Sequence, residues 1–231
     1  MALDEFTFKP YGDVKISYTW GSGEFTFEDA SKQYPRRRVK AKKAYTFTIR
    51  YARKERLERF VKFYNDHKGQ LDPFMFTYDG VKEMCYFSSS ISPKLYVENK
   101  EIVCYECEVN LEVDSQVSNY PSALETDVLP SPRGTVTHEY DWATKVVEMV
   151  KSDRMMTSPK AREKFTAEWS GTKKTRDIII KLFNSHCRMP LIFRHDGKEY
   201  KVRFPDSIEI TDKREIQNIV GFSTSIELEV V

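Results

Sequence analysis

Four cysteines and four histidines are the residues of this 231-residue chain whose types could carry chemistry. Cys104-x-x-Cys107 has the spacing of half a zinc site or of a redox pair. Zinc needs a second pair of ligands, and a thioredoxin-like site needs a helix start. The residues around this pair alternate as in a strand, where a three-residue step puts the two thiols on opposite faces. The matching positions in the second half are Gly221 and Thr224. The expectation for Cys85, Cys104, Cys107 and Cys187 is therefore ordinary thiols in a reducing cytoplasm.

The histidines show no metal spacing such as His-Glu-x-x-His. His67 and His186 fall where a last helical turn is expected, and there a ring can cap a carbonyl and suit the helix dipole. His186-Cys187 are neighbours, but a catalytic dyad needs spatial approach and an orienting third group. Asp79 and Asp196 precede glycines and read as turn residues rather than general acids. No Gly-x-Gly-x-x-Gly, P-loop or Gly-x-Ser-x-Gly element is present. The expectation is a protein that is not an enzyme and uses no cofactor or metal.

The densest charge lies at Arg36, Arg37, Arg38, Lys40, Lys42 and Lys43, where six of eight successive residues are basic. This run is expected in a loop between two strands. A solvated loop is the plain reading. The functional ones are a contact with an acidic neighbouring subunit or a channel-facing patch touching DNA phosphate. A subunit contact is favoured, because a conduit that gripped phosphates with many cations would slow passage. The matching stretch at 155–164 is much less basic. Trp20, Trp142 and Trp169 sit in alternating strands and read as core.

The elements that position these residues repeat. With an offset of 117, Pro73, Phe76, Asp79 and Gly80 fall on Pro190, Phe193, Asp196 and Gly197. Leu111-Glu112-Val113 falls on Leu228-Glu229-Val230, and 12 of 31 positions over 73–91 and 102–113 are identical. Average composition would give roughly two. Upstream the match continues at 119 (Asn65 and His67 with Asn184 and His186), at 120 (Lys40-Ala41 with Lys160-Ala161) and at 122 (Tyr18 and Trp20 with Tyr140 and Trp142). The reading is an N-terminal arm at 1–12, a first repeat at 13–114, a proline-containing linker at 115–134 and a second repeat at 135–231.

Each repeat carries alternating strands, a helix (53–67 and 173–186), a hairpin at Asp-Gly and two further strands. The expected fold is mainly β (α+β), with two tandem antiparallel sandwich or barrel domains, each with one short packed helix. Phe6 and Phe8 in the arm suggest a strand that pairs with a neighbour. A net charge of +2 argues against a dedicated nucleic-acid binder. The 40% hydrophobic and 31% charged content argues against disorder. No run approaches the ~20 apolar residues of a membrane span, and the acidic start at Asp4-Glu5 leads to the expectation of no signal peptide.

The order of these signals resembles the minor tail protein M family of lambda-like siphophages, and more broadly the N-terminal domain of distal tail proteins. The resemblance rests on Tyr45-Thr46-Phe47-Thr48-Ile49, Leu57-Glu58-Arg59-Phe60-Val61-Lys62-Phe63-Tyr64, Gly69, Pro73-Phe74-Met75-Phe76 and Glu108-Val109-Asn110-Leu111-Glu112-Val113. It covers nearly all of both repeats. The chain departs from the family in carrying two copies, and Cys187-Arg188-Met189 stands where the first repeat has its helix-ending glycine. The resemblance implies a virion protein of the tail tip or baseplate, assembled in the host cytoplasm. It implies a homo-oligomeric ring, with three two-copy chains giving pseudo-sixfold symmetry. The implied partners are further copies of the chain, the tail-tube protein and the tail hub or tape-measure protein. DNA would pass only transiently through the lumen, and no membrane is involved. A tail-tube subunit and a carbohydrate-binding module are the alternatives.

Overall fold

A computed structural model of the chain describes residues 3–21, 25–26, 32–33, 41–98, 101–114, 127–141, 145–148, 153–156, 161–186, 189–215 and 218–231. In chain order the elements are β1 (Tyr11–Thr19), β2 (Phe25–Thr26), β3 (Lys32–Gln33), β4 (Lys42–Tyr51), α1 (Lys54–Asp66), β5 (Phe74–Tyr78), β6 (Val81–Phe87), β7 (Lys94–Glu98) and β8 (Glu101–Val113). They continue with β9 (Val136–Asp141), β10 (Lys145–Glu148), β11 (Asp153–Met156), β12 (Arg162–Gly171), α2 (Lys173–His186), β13 (Leu191–His195), β14 (Lys198–Arg203), β15 (Ser207–Glu215) and β16 (Asn218–Val230). The fold is mainly β, with antiparallel ladders and two helices among the described residues.

The chain divides into two compact units that draw on both repeats. The first comprises Met1–Thr19, Lys40–Pro121 and Glu209–Ser223, and the second comprises Trp20–Val39, Ser122–Ile208 and Thr224–Val231.

In the first unit β4 lies between β1 and β8, pairing antiparallel with each. The far side of β8 takes β6 at Leu111–Val113 and β7 at Glu101–Glu106, and β5 pairs with β6. β15, from the second repeat, pairs with the outer side of β1. Period-two alternation turns Tyr45, Phe47 and Ile49 of β4 inward, each almost without exposure. Phe60 of α1 is fully buried and joins Phe6, Phe74, Phe76 and Phe87 in one aromatic cluster. Each such ring contributes about 1.5–3 kcal/mol by burial.

Phe6 corrects the expectation for the arm. Its N–H donates to the Met75 carbonyl at 2.7 Å, and the Met75 N–H donates to the Asp4 carbonyl at 2.8 Å. The arm thus forms a parallel bridge with β5 of its own unit, and Phe6 is 5% exposed. An apolar ring that fills its own core is not free to meet a neighbour.

In the second unit β12 pairs with β9 and with β16, β14 pairs with β16, and β13 pairs with β14. These pairings answer those of β4 with β1 and β8, β6 with β8, and β5 with β6. Ile179, Leu182 and Phe183 of α2 are fully buried, as are Phe165, Trp169 and Phe193, and the Phe183 ring meets that of Phe204. The end of the expected linker behaves as the arm does. The Leu129 N–H donates to the Ile192 carbonyl at 2.9 Å, and the Ile192 N–H donates to the Asp127 carbonyl at 2.8 Å. Asp127-Val128-Leu129 therefore stands to β13 as Asp4-Glu5-Phe6 stands to β5. Trp20 also belongs to this unit, where its indole N–H donates to the Phe183 carbonyl at 3.3 Å.

Candidate functional site

The expected basic patch is divided by the structure. Arg36, Arg37, Arg38 and Lys40 lie outside the described residues. Lys42 and Lys43 lie in β4 rather than in a loop. Lys42 forms an ion pair with Glu112 on the neighbouring β8. Lys43 reaches both carboxylate oxygens of Glu83, at 3.0 and 2.9 Å. The Tyr45 hydroxyl donates to the same carboxylate at 2.5 Å. Both cations are therefore neutralised by carboxylates of their own unit, and in that state they offer little to an acidic partner.

A different basic set forms that was not visible along the chain. Lys9, Arg50, Arg56 and Arg59 line a groove of about 470 Å³ with Phe8, Tyr11 and Tyr51. Arg50 is engaged by Glu106 at 3.2 Å and stands over the Tyr11 ring at 5.1 Å. These residues come from the arm, β4 and α1, so no local run announces them.

The cysteine pair is split between two faces of β8. Cys107 is buried on the face shared with Val109, Leu111 and Val113. Cys104 takes the opposite face, where Arg50 Nε donates to its Sγ at 3.1 Å. Burial pushes the Cys85 thiol up to about 12 and raises that of Cys107, which removes the thiolate that reactivity needs. His67 Nδ1 is 2.8 Å from the Phe63 carbonyl, and His186 Nδ1 is 3.0 Å from the Leu182 carbonyl. A carbonyl only accepts, so both rings carry the proton on Nδ1 and close the last helical turn. Cys187 lies outside the described residues, as does Trp142. Among the described residues no group of three His, Cys, Asp or Glu side chains could hold a metal. Trp20 and Trp169 are 3% and 1% exposed, so neither presents a face for stacking on a sugar.

What stands open is an edge. All of residues 92–97 are exposed, with Leu95, Tyr96 and Val97 at 59%, 47% and 59%. Pro93 and Leu95, with Leu57 and Val61 of α1 and Tyr105 of β8, line an apolar groove of about 660 Å³. In the second unit Tyr140 on β9 is 60% exposed. Among the described residues β7 pairs only with β8, and β9 only with β12. Unpaired, apolar strand edges are templates for another strand. One hint of this lies in the residue pattern: the run Leu95-Tyr96-Val97 breaks the alternation expected of a half-buried strand.

No protein-family model matches this chain, and no curated protein matches it.

Proposed function

We propose that this chain is a structural component of a siphophage tail tip, a distal or minor tail protein that forms a ring around the DNA channel. The ring joins the tail tube to the hub or receptor-binding apparatus. Three chains carry six repeats, so a sixfold tube can meet a threefold hub. The observation that carries this reading is the seating of β15, a strand of the second repeat, on β1 of the first unit. A module that adds a strand to its neighbour's sheet propagates by repetition, which is what an annular assembly requires. The resemblance in residue pattern supplies the tail. Catalysis, a cofactor and a membrane have no part in the reading, and DNA is a passing occupant of the lumen.

Native mass spectrometry and electron microscopy of the purified protein test it. The expected result is a closed annulus of three chains. Long stacks without a fixed end would make it a tail-tube subunit. A protein that stays a single chain at every concentration would overturn the reading, as would its absence from purified tails of the parent phage.

A further inference from the structure

Among the described residues, two strand edges that are covered in one half of the chain are bare in the other. β15 is seated on β1, with Lys15 Nζ 3.2 Å from Glu209 Oε1 and the Arg214 N–H donating to Asp13 Oδ1 at 3.3 Å. As the residue number rises along β1 it falls along β15, so the two strands run antiparallel. On β15, Ile210 and Asp212 have no exposure. On β1, Val14, Ile16 and Tyr18 are 0%, 3% and 7% exposed.

The repeat offsets carry these positions to their counterparts. Ile210, Asp212 and Arg214 correspond to Pro93, just before β7, and to Leu95 and Val97 on it, all exposed. Tyr18 corresponds to Tyr140 on β9, where exposure rises from 7% to 60%. Among the described residues each chain thus has one β7 edge and one β9 edge without the strand that covers the equivalent edge.

We propose that β7 of one copy pairs antiparallel with β9 of a second copy, repeating between chains the β15–β1 pairing made within one. The proposal rests on the ring reading and names its joint. Hydrogen bonds of the two bare edges are satisfied together, and Leu95 and Val97 leave water over the start of β9, while Tyr140 meets the chain just before β7. A second copy is the occupant because it alone brings the strand homologous to the one already seen on the equivalent edge. The joint is heterologous, since β7 meets β9 and not another β7, so each copy binds one neighbour through each edge. The polar contact made by Asp212 has no counterpart at Leu95. The joint between chains is correspondingly apolar, in keeping with the groove beside it.

The test uses the full chain. Leu95→Lys with Val97→Lys blocks β7, and Tyr140→Lys blocks β9. All three residues face solvent in the single chain, so far-UV circular dichroism and the unfolding midpoint stay as in the unmodified protein. Each variant alone is expected to fall to single chains. Mixed, they are expected to give a one-to-one dimer and nothing larger, because each keeps the edge the other has lost. Independently, Ser92→Cys with Thr137→Cys, the counterparts of Glu209 and Lys15, is expected to give a disulfide-linked ladder on mild oxidation, which neither single variant gives. If the unmodified protein forms rings while the blocked variants still assemble and no ladder appears, this joint is wrong and the ring stands. If the unmodified protein never assembles, the ring reading falls and the joint with it.

Discussion

The Tyr78 hydroxyl donates a 2.8 Å hydrogen bond to Asp212 Oδ2, joining residues 134 positions apart. Tyr78 ends β5 and Asp212 lies within β15, and both belong to the first unit. Asp212 is fully buried, and the Arg214 guanidinium sits 5.7 Å from the centre of the Tyr78 ring. A buried carboxylate that loses a donor keeps its desolvation cost, about 1.5–3 kcal/mol for a hydrogen bond to a charged group. Tyr78→Phe keeps the ring and the cation above it and removes only the donor. The expected outcome is a loss of about 2 kcal/mol in urea unfolding, within that same range. A change below about 0.5 kcal/mol, the ordinary scatter of surface substitutions, would show that the bond is idle.

How much of this could be read along the chain depends on how local the physics is. The turns at Asp79-Gly80 and Asp196-Gly197 were legible because a two-residue hairpin needs positive φ at both positions. The observed angles are +52° and +79° in the first and +48° and +71° in the second. The helices were legible from apolar spacing, and His67 and His186 from their place at the helix ends. The bridges made by Asp4-Glu5-Phe6 and Asp127-Val128-Leu129 were not. Two or three residues carry no period, and only the aspartates are shared. The partner of β15 was not legible either, because alternation says which face of a strand is apolar and nothing about which strand lies beside it. Lys42 and Lys43 were misplaced because a run of like charge looks like a loop even where its end has entered a strand.

The Leu182 and Asp127 contacts of His186 are not equal. Its Nδ1 closes the helix on the Leu182 carbonyl, and its Nε2 stands 3.2 Å from Asp127 Oδ1, on a side chain that is 70% exposed. The carbonyl contact is buried and unscreened, while the carboxylate contact faces water. His186→Ala is expected to cost about 1–3 kcal/mol, from the emptied ring site and the lost Nδ1–H bond to the Leu182 carbonyl, which keeps the Ser185 hydroxyl at 3.2 Å. Asp127→Ala keeps its backbone bonds and is expected to stay within about 0.5 kcal/mol. Denaturation of the two variants side by side checks the order. An Asp127 effect as large as that of His186 would make the ion pair, not the cap, the stabilising contact.

The end of α1 gives two changes of opposite sign. The Gly69 N–H donates to the Tyr64 carbonyl at 2.9 Å and the Lys68 N–H to the Asn65 carbonyl at 2.9 Å, the paired bonds of a Schellman motif. The left-handed position just past the helix is held by Lys68, at φ +51°, and Gly69 follows at +67°. A Cβ on Gly69 would come within 2.9 Å of the Tyr64 hydroxyl oxygen. Gly69→Ala is therefore expected to destabilise by about 1 kcal/mol. Lys68→Gly relieves a side chain from a conformation it disfavours, and is expected to be neutral or to stabilise by up to about 1 kcal/mol. Thermal unfolding of both reads the signs. A stabilised Gly69→Ala would contradict the backbone geometry.

Alkaline pH acts on two buried groups of the first unit. Burial, followed by the nearby Glu83 carboxylate, pushes the Cys85 thiol from its ordinary 9.0 up to about 12. The same two causes raise the Tyr45 hydroxyl well above its ordinary 10.0. Both groups stay protonated in the fold at pH values where the unfolded chain releases the proton. In that window the folded state binds more protons, so stability falls as pH rises. The contribution is complete below about pH 9, declines first through Cys85 and declines more steeply past about pH 10 as Tyr45 joins it. Cys85→Ala is expected to delay the onset, and Tyr45→Phe to flatten the steeper part, although it also removes the hydrogen bond to Glu83. Urea unfolding at intervals between about pH 8 and about pH 11 measures the slope. A stability that is level across that range in the unmodified protein would mean that neither group is shielded from water as the packing requires.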